Sequence, residues 1–174
     1  IFSIDFDGDN DMDLVVATLA QYAVTIMMND GNGVFNNYER YDIQRRPYSV
    51  FAIDLDADGD NDIATANAHS DNVSVLLNEG DGTFVVSGHY AVGSAPNASP
   101  NVVYSADLDA DGDYDLATGN ANTDDISILL NDGSGNFGSA CHYNVGDSPS
   151  DVYLADLNGD GFADVMNSNQ NSND

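Results

Sequence analysis

Four stretches of the sequence place Asp at alternate positions: "DFDGDNDMD" from Asp5, "DLDADGDND" from Asp54, "DLDADGDYD" from Asp107 and "DLNGDGFAD" from Asp156. They share the pattern D-x-[DN]-x-D-[GN]-x-x-D. Hard oxygen ligands at this spacing suit Ca²⁺, because a tight loop can aim side chains 1, 3 and 5 at one centre while a later carboxylate closes the far side. The candidate side-chain ligands are Asp5, Asp7, Asp9 and Asp13 in the first loop, and Asp54, Asp56, Asp58 and Asp62 in the second. In the third they are Asp107, Asp109, Asp111 and Asp115, and in the fourth Asp156, Asn158, Asp160 and Asp164. Position 7 is expected to give a main-chain carbonyl, from Asp11, Asp60, Asp113 and Phe162, since a Phe side chain cannot ligate a cation. Position 6 needs a left-handed turn, open to Gly59, Gly112 and Gly161 without penalty and tolerated by Asn10. One Ca²⁺ per loop, four at most, would also relieve the repulsion among like charges packed this closely.

An EF-hand is excluded, because Val16, Thr65, Thr118 and Asn167 stand where its closing Glu would be. Here the ninth position carries the closing acid. The fourth loop has Asn158 in place of Asp and is expected to bind most weakly. Eighteen of the 30 acidic residues lie inside these loops, so the net charge of -27 is mostly ligand chemistry rather than a dispersed acidic surface.

The loops recur as part of a longer unit. The blocks "VTIMMNDGNGVF", "VSVLLNEGDGTF" and "ISILLNDGSGNF" come after the first three, and the loops start 49, 53 and 49 residues apart. Tyr41, Tyr90 and Tyr143 keep the same phase after Phe35, Phe84 and Phe137, as do Pro47, Pro96 and Pro149 after those Tyr. The spacing puts four extra residues near 97–100, expected as a surface loop. Within a unit the apolar runs are strand length, near 50–53, 63–66, 73–77 and 84–92, with Asn, Asp and Gly between them. Four strands per repeat of this length predict an all-β fold, a β-propeller segment of four-stranded antiparallel blades. The repeats fall at about 1–49, 50–102 and 103–151, with a partial fourth at 152–174, all in one domain. About fourteen strands cannot close a ring of the commoner sizes. The expectation is a fragment of a larger propeller whose true N-terminus lies upstream of Ile1, its remaining blades coming from the same or a neighbouring chain.

The loops, "VSVLLNEGDGTF" and the "HYAVG" and "HYNVG" segments resemble the FG-GAP and VCBS repeats of secreted, bacterial proteins and the calcium-binding blades of integrin alpha subunits. The resemblance covers essentially the whole chain. It implies a propeller, commonly seven-bladed, with Ca²⁺ in the loop between the first two strands of each blade. It also implies an extracellular setting, secreted or at the cell surface.

Function is less closely bounded. With 30 acids against 3 Arg and no Lys, nucleic acid and anionic membranes are poor partners, and no apolar run is long enough to insert in a bilayer. Cys141 is alone, so no intrachain disulfide forms. The expected role is a Ca²⁺-stabilised scaffold for adhesion or for binding an extracellular protein or glycan, and not an enzyme. The alternative is a portion of a secreted polysaccharide lyase or a lectin. A lyase wants cations and a base, whereas Arg40, Arg45 and Arg46 cluster in one connection and His89 and His142 sit at equivalent repeat positions beside Tyr. Recognition is expected in variable connections such as 40–46 and 97–100.

Overall fold

The protein is described by a computed structural model over residues 1–172; positions 173–174, the end of the fourth repeat, lie outside the described residues. It forms fourteen strands and, among the described residues, no helix. The first sheet comprises β1 (Phe2–Ile4), β2 (Asp13–Thr18), β3 (Ala23–Met28) and β4 (Asn37–Asp42). The second comprises β5 (Pro47–Ile53), β6 (Asp62–Asn67), β7 (Asn72–Asn78) and β8 (Phe84–Ala91). The third comprises β9 (Pro100–Ala106), β10 (Asp115–Asn120), β11 (Asp125–Leu129) and β12 (Cys141–Asn144), and β13 (Pro149–Ala155) and β14 (Asp164–Asn169) form a two-stranded fourth. Within each sheet the strands pair antiparallel in chain order, as short hairpin connections require. These are the blades of a propeller, three complete and one partial.

The core lies between blades rather than inside any one of them. Phe6, Val15, Val24 and Ile26 of the first blade pack on Val50, Ala52, Ile63, Leu76 and Phe84 of the second. Ala64, Ala66, Val73 and Val75 leave the other face of the second blade and meet Val103, Leu116, Leu129 and Phe137 of the third. A third seam joins Ala117 and Ile126 to Val152 and Leu154. Successive side chains point to opposite faces of a strand, so Ile63 feeds one seam and Ala64 the next. That is why β6 and β10 are buried at every residue, while β2 is buried only at alternate residues near its start.

Aromatic residues mark the same seams. Phe2, Phe51, Tyr104 and Tyr153, one from each innermost strand, form a ladder with centroid spacings of 5.0, 4.6 and 5.3 Å. Tyr41 meets Phe84 edge-on at 5.7 Å and Tyr90 meets Phe137 at 5.2 Å. The shared phase of Tyr and Phe in the repeat therefore records a contact between neighbouring blades.

One landmark is corrected. Pro100, not Pro96, is the counterpart of Pro47 and Pro149, since the three pair with Asn120, Asn67 and Asn169 at the start of their strands. The inserted residues are not simply a surface loop either. Ala98 and Pro100 are buried, and the Asp71 carboxylate accepts the N–H groups of Asn97 and Ser99 at 2.7 and 3.2 Å. An unpaired backbone here would be costly, and Asp71 removes that cost.

The alternating strand directions put the β1–β2 and β3–β4 connections, with all the Asp-rich loops, at one end of the blades. The β2–β3 and β4–β5 connections lie at the other, where Arg45 sits 5.9 Å over the Tyr22 ring and Arg46 Nη1 meets His69 Nε2 at 2.8 Å. Arg40 ends there too, bonded to Gln21 O and paired with Asp42.

A core held at the seams should feel truncation there most. Leu76→Ala, at a side chain 0% exposed, is expected to destabilise the chain by about 2–5 kcal/mol in urea melts. Val165→Ala, at 41% exposure, should cost under about 1 kcal/mol, and equal losses would contradict seam-centred packing.

Candidate metal centres

Each Asp-rich loop joins the first two strands of its blade and is folded by its own carboxylates. The position-1 carboxylate accepts the N–H of position 6 in all four loops, from Asn10 at 2.9 Å, Gly59 at 3.0 Å, Gly112 at 3.2 Å and Gly161 at 2.9 Å. Position 3 takes the N–H of position 5, and position 5 that of position 7, as in Asp9 accepting from Asp11 at 2.8 Å. These turns leave the second lone pairs of the carboxylates uncommitted, which is the condition for a cation to enter.

Two left-handed residues per loop make the turn this tight. Position 6 has positive φ as the spacing predicts, with Asn10 at 71° and Gly59, Gly112 and Gly161 at 100°, 101° and 93°. Position 4 does as well, and there Ala57 and Ala110 hold φ of 61° and 63° where Gly8 and Gly159 stand in the other loops. An alanine in that region is disfavoured by about 1–2 kcal/mol, and sequence propensity gives no sign of it.

Carboxylate oxygens of Asp5, Asp7 and Asp13 lie within 4.8 Å of one another, as do those of Asp54, Asp56 and Asp58 and those of Asp107, Asp109 and Asp115. Among the described residues the fourth loop forms no such acidic group, since Asn158 takes the place of its second acid. Asp9 and Asp111 bond within their loops but stand outside these triplets, as does Asp62 in the second. Asp11, Asp60 and Asp113 turn their side chains away. Their Oδ2 atoms lie 2.6, 2.8 and 2.5 Å from where a Cβ on Gly31, Gly80 or Gly133 would fall, and the φ of 79°, 86° and 78° at those turns favours glycine. Phe162, at the same position in the fourth loop, is exposed.

The ninth residue does the most bonding. Asp13, Asp62 and Asp115 are fully buried. Oδ2 of each accepts the N–H of position 2, from Phe6, Leu55 and Leu108 at 2.7–2.9 Å. Oδ1 accepts the N–H of the Asn just past the third strand's apolar run, from Asn29, Asn78 and Asn131 at 2.8–2.9 Å. Asp164 keeps the first of these bonds, from Leu157 at 3.0 Å. The repeated "N-[DE]-G" in the sequence was the signal for this Asn, and spacing arguments about ligands pass over it.

The donor set fits a hard divalent cation. Asp54 Oδ1 is buried without a hydrogen-bond partner in the loop where its carboxylate, Asp56 and Asp58 converge; a water or a cation would satisfy it, and a cation would also offset the three like charges. Burial first, then the charges of Asp9, Asp13 and Asp5, raises the Asp7 carboxyl. Burial and Asp58 raise Asp56, and burial chiefly raises Asp115 and lifts Asp62 to about 7. Asp156 is shifted the other way, lowered by the N–H groups of Gly161 and Gly159. Ionisation is thus disfavoured at Asp7, Asp56, Asp62 and Asp115 and favoured by backbone donors at Asp156.

Four-stranded blades packed through shared cores, with one acidic loop per blade, define a β-propeller segment with candidate cation loops. The FG-GAP-like repeat family model matches residues 5–65, 54–118 and 107–166, and the chain belongs to that family. No curated protein sequence matches it. Among solved structures it is similar to an Agrocybe aegerita lectin described in its recognition of non-reducing terminal N-acetylglucosamine, with TM-score 0.64 and 24% identity over 95% of this chain and 45% of the lectin. It is similar to BBS1N in complex with ARL6DN, with TM-score 0.67 and 12% identity over 97% of this chain and 49% of that one. A third similarity is to the Photorhabdus luminescens Tc holotoxin pore, with TM-score 0.53 and 21% identity over 94% of this chain and 8% of that one. At these identities the likeness is one of fold, and the chain spans about half the length of the first two.

The raised carboxyls set a pH dependence for the cation-free chain. A group raised on folding adds stability below its unfolded value, about 4 for Asp, and loses it as pH climbs through the folded value, about 7 for Asp62. In chelator, the melting temperature is expected to fall between about pH 4 and about pH 7, as self-repulsion of the net charge of -27 also requires. A rise across that window would contradict the assignment.

Proposed function

We propose that this chain is a calcium-braced propeller module of an extracellular protein, a scaffold that presents connections for adhesion or ligand binding and performs no catalysis itself. The observation that carries the calcium reading is the convergence of three carboxylates in each of three successive loops, with the orphaned Asp54 oxygen in one of them. Ca²⁺ bound by these loops would supply the positive charge that the buried acids lack and would pin the first two strands of a blade together. Asp5, Asp7 and Asp13, then Asp54, Asp56 and Asp58, then Asp107, Asp109 and Asp115 would hold it. The fourth loop, with Asn158 and a settled Asp156, would be the weakest.

The partner is a protein or a glycan. The two similar propellers described with ARL6DN and with N-acetylglucosamine support each choice in turn. One feature of this chain favours the glycan. An open cavity of about 590 Å³ at the second seam is lined by His89, Tyr90, Ser139 and His142, a mixture of ring and hydrogen-bonding groups. The Ser74 and Ser127 hydroxyls meet Nδ1 of the two imidazoles at 2.8 and 2.9 Å, leaving Nε2 for other partners. The Ser127 oxygen already accepts from Gly93 N and Asn120 Nδ2, so its proton goes to His142.

Binding to the folded state alone stabilises it by mass action. At free Ca²⁺ about ten times the dissociation constant, each filled loop adds about 1.4 kcal/mol, and three together should raise the melting temperature by about 10 °C over the value in EDTA. Coincident melts with and without Ca²⁺ would refute the reading. Asp58→Ala is expected to lower the calorimetric Ca²⁺ stoichiometry by one, and an undiminished stoichiometry would remove that residue from the ligand set.

A further inference from the structure

The Asn that closes each third strand touches two loops at once. Asn78 gives its backbone N–H to Asp62 of its own loop at 2.8 Å. Its side-chain Nδ2 crosses the seam to the carbonyl of Phe6 at 2.8 Å, buried, between Asp5 and Asp7 of the preceding loop. Asn131 repeats the arrangement one blade on, with its N–H on Asp115 at 2.9 Å and Nδ2 on Leu55 O at 2.7 Å, between Asp54 and Asp56. At the first seam a second strut is present, because Asn61 Nδ2 reaches Asp5 O at 2.9 Å. Among the described residues the corresponding carbonyls of the third and fourth loops, at Leu108 and Leu157, receive no such bond.

We propose that Asn78 and Asn131 are positioning residues that couple neighbouring cation loops, so that filling one loop raises the affinity of the loop across the seam. The proposal rests on the calcium reading above. A cation held by Asp54, Asp56 and Asp58 orders the second loop, and through that loop its last residue, Asp62, which accepts the N–H of Asn78. The amide of Asn78 then holds Phe6 O, and the ordering that the first loop must undergo to close on its own cation is already partly done. Coupling between sites is reciprocal, so the effect runs both ways along the row of loops. Through Asn131 the second and third loops are linked in the same manner.

Glycine amides inside the loops give a separate reporter for each: Gly8 for the first, Gly59 for the second and Gly112 for the third. A ¹⁵N-labelled full chain is titrated with Ca²⁺, and the second loop is then emptied by Asp56→Asn together with Asp58→Asn. The midpoints of both Gly8 and Gly112 are expected to move to about tenfold higher Ca²⁺, within the usual range of coupling between sites. Adding Asn131→Asp should abolish the movement at Gly112 and spare it at Gly8, a selectivity that general destabilisation does not produce. Should that variant fail to fold, Asn61→Ala makes the converse test, reducing transfer to Gly8 alone. Midpoints that move equally in every background, or not at all, overturn the coupling while leaving calcium binding intact. Glycines that ignore Ca²⁺ altogether overturn both.

Discussion

The architecture turns on a buried carboxylate that accepts two backbone N–H groups. Asp13, Asp62 and Asp115 each reach from the start of a second strand to the loop before it and to the chain leaving the third strand. Three segments of a blade are thereby tied at one atom pair. An ionised group in that position is costly to bury, and two N–H bonds offset only part of the cost. Acidic neighbours make it worse. A divalent cation among them, as proposed above, would convert the liability into the bond that closes the loop and would let so acidic a sequence fold through these points.

The seams arise from the same repeat. Since every blade shows an apolar face to each neighbour, no blade owns a core, and each covers what the last exposes. Repeat proteins of this kind gain stability from nearest-neighbour interfaces rather than from isolated units. Tyr41 on Phe84 and Tyr90 on Phe137 are the aromatic version of this dependence, and the Nδ2 bonds of Asn78 and Asn131 the polar one. Apolar packing, ring contacts and amide bonds all cross at the same places.

Much of this was legible in the residues. Alternate Asp with Gly or Asn at position 6 specifies an oxygen-lined loop, and strand-length apolar runs at a fixed period specify blades, because both patterns are local. What escaped was set by tertiary register. Pro96 matched its repeat landmarks by distance from Tyr90, yet only pairing with Asn120 identifies Pro100 as the strand-opening residue. Ala57 and Ala110 carry no mark of left-handed backbone; the bonds around them impose it. Nor does an Asn in a Gly-rich turn announce that its amide will be used a blade away. Side chains that act across a seam look, along the chain, like ordinary turn residues.

The placement of the three Arg has a consequence for how the molecule sits in its surroundings. All of them lie at the end of the blades away from the Asp-rich loops, so the net charge of -27 is polarised as well as large. Such a body carries a permanent dipole and turns in a field. Beside a positively charged surface it presents its loops and swings the guanidinium end outward, and added salt loosens that alignment. Cations taken up by the loops, as proposed, would shrink the dipole, so that mineral content would help set how firmly the propeller is oriented.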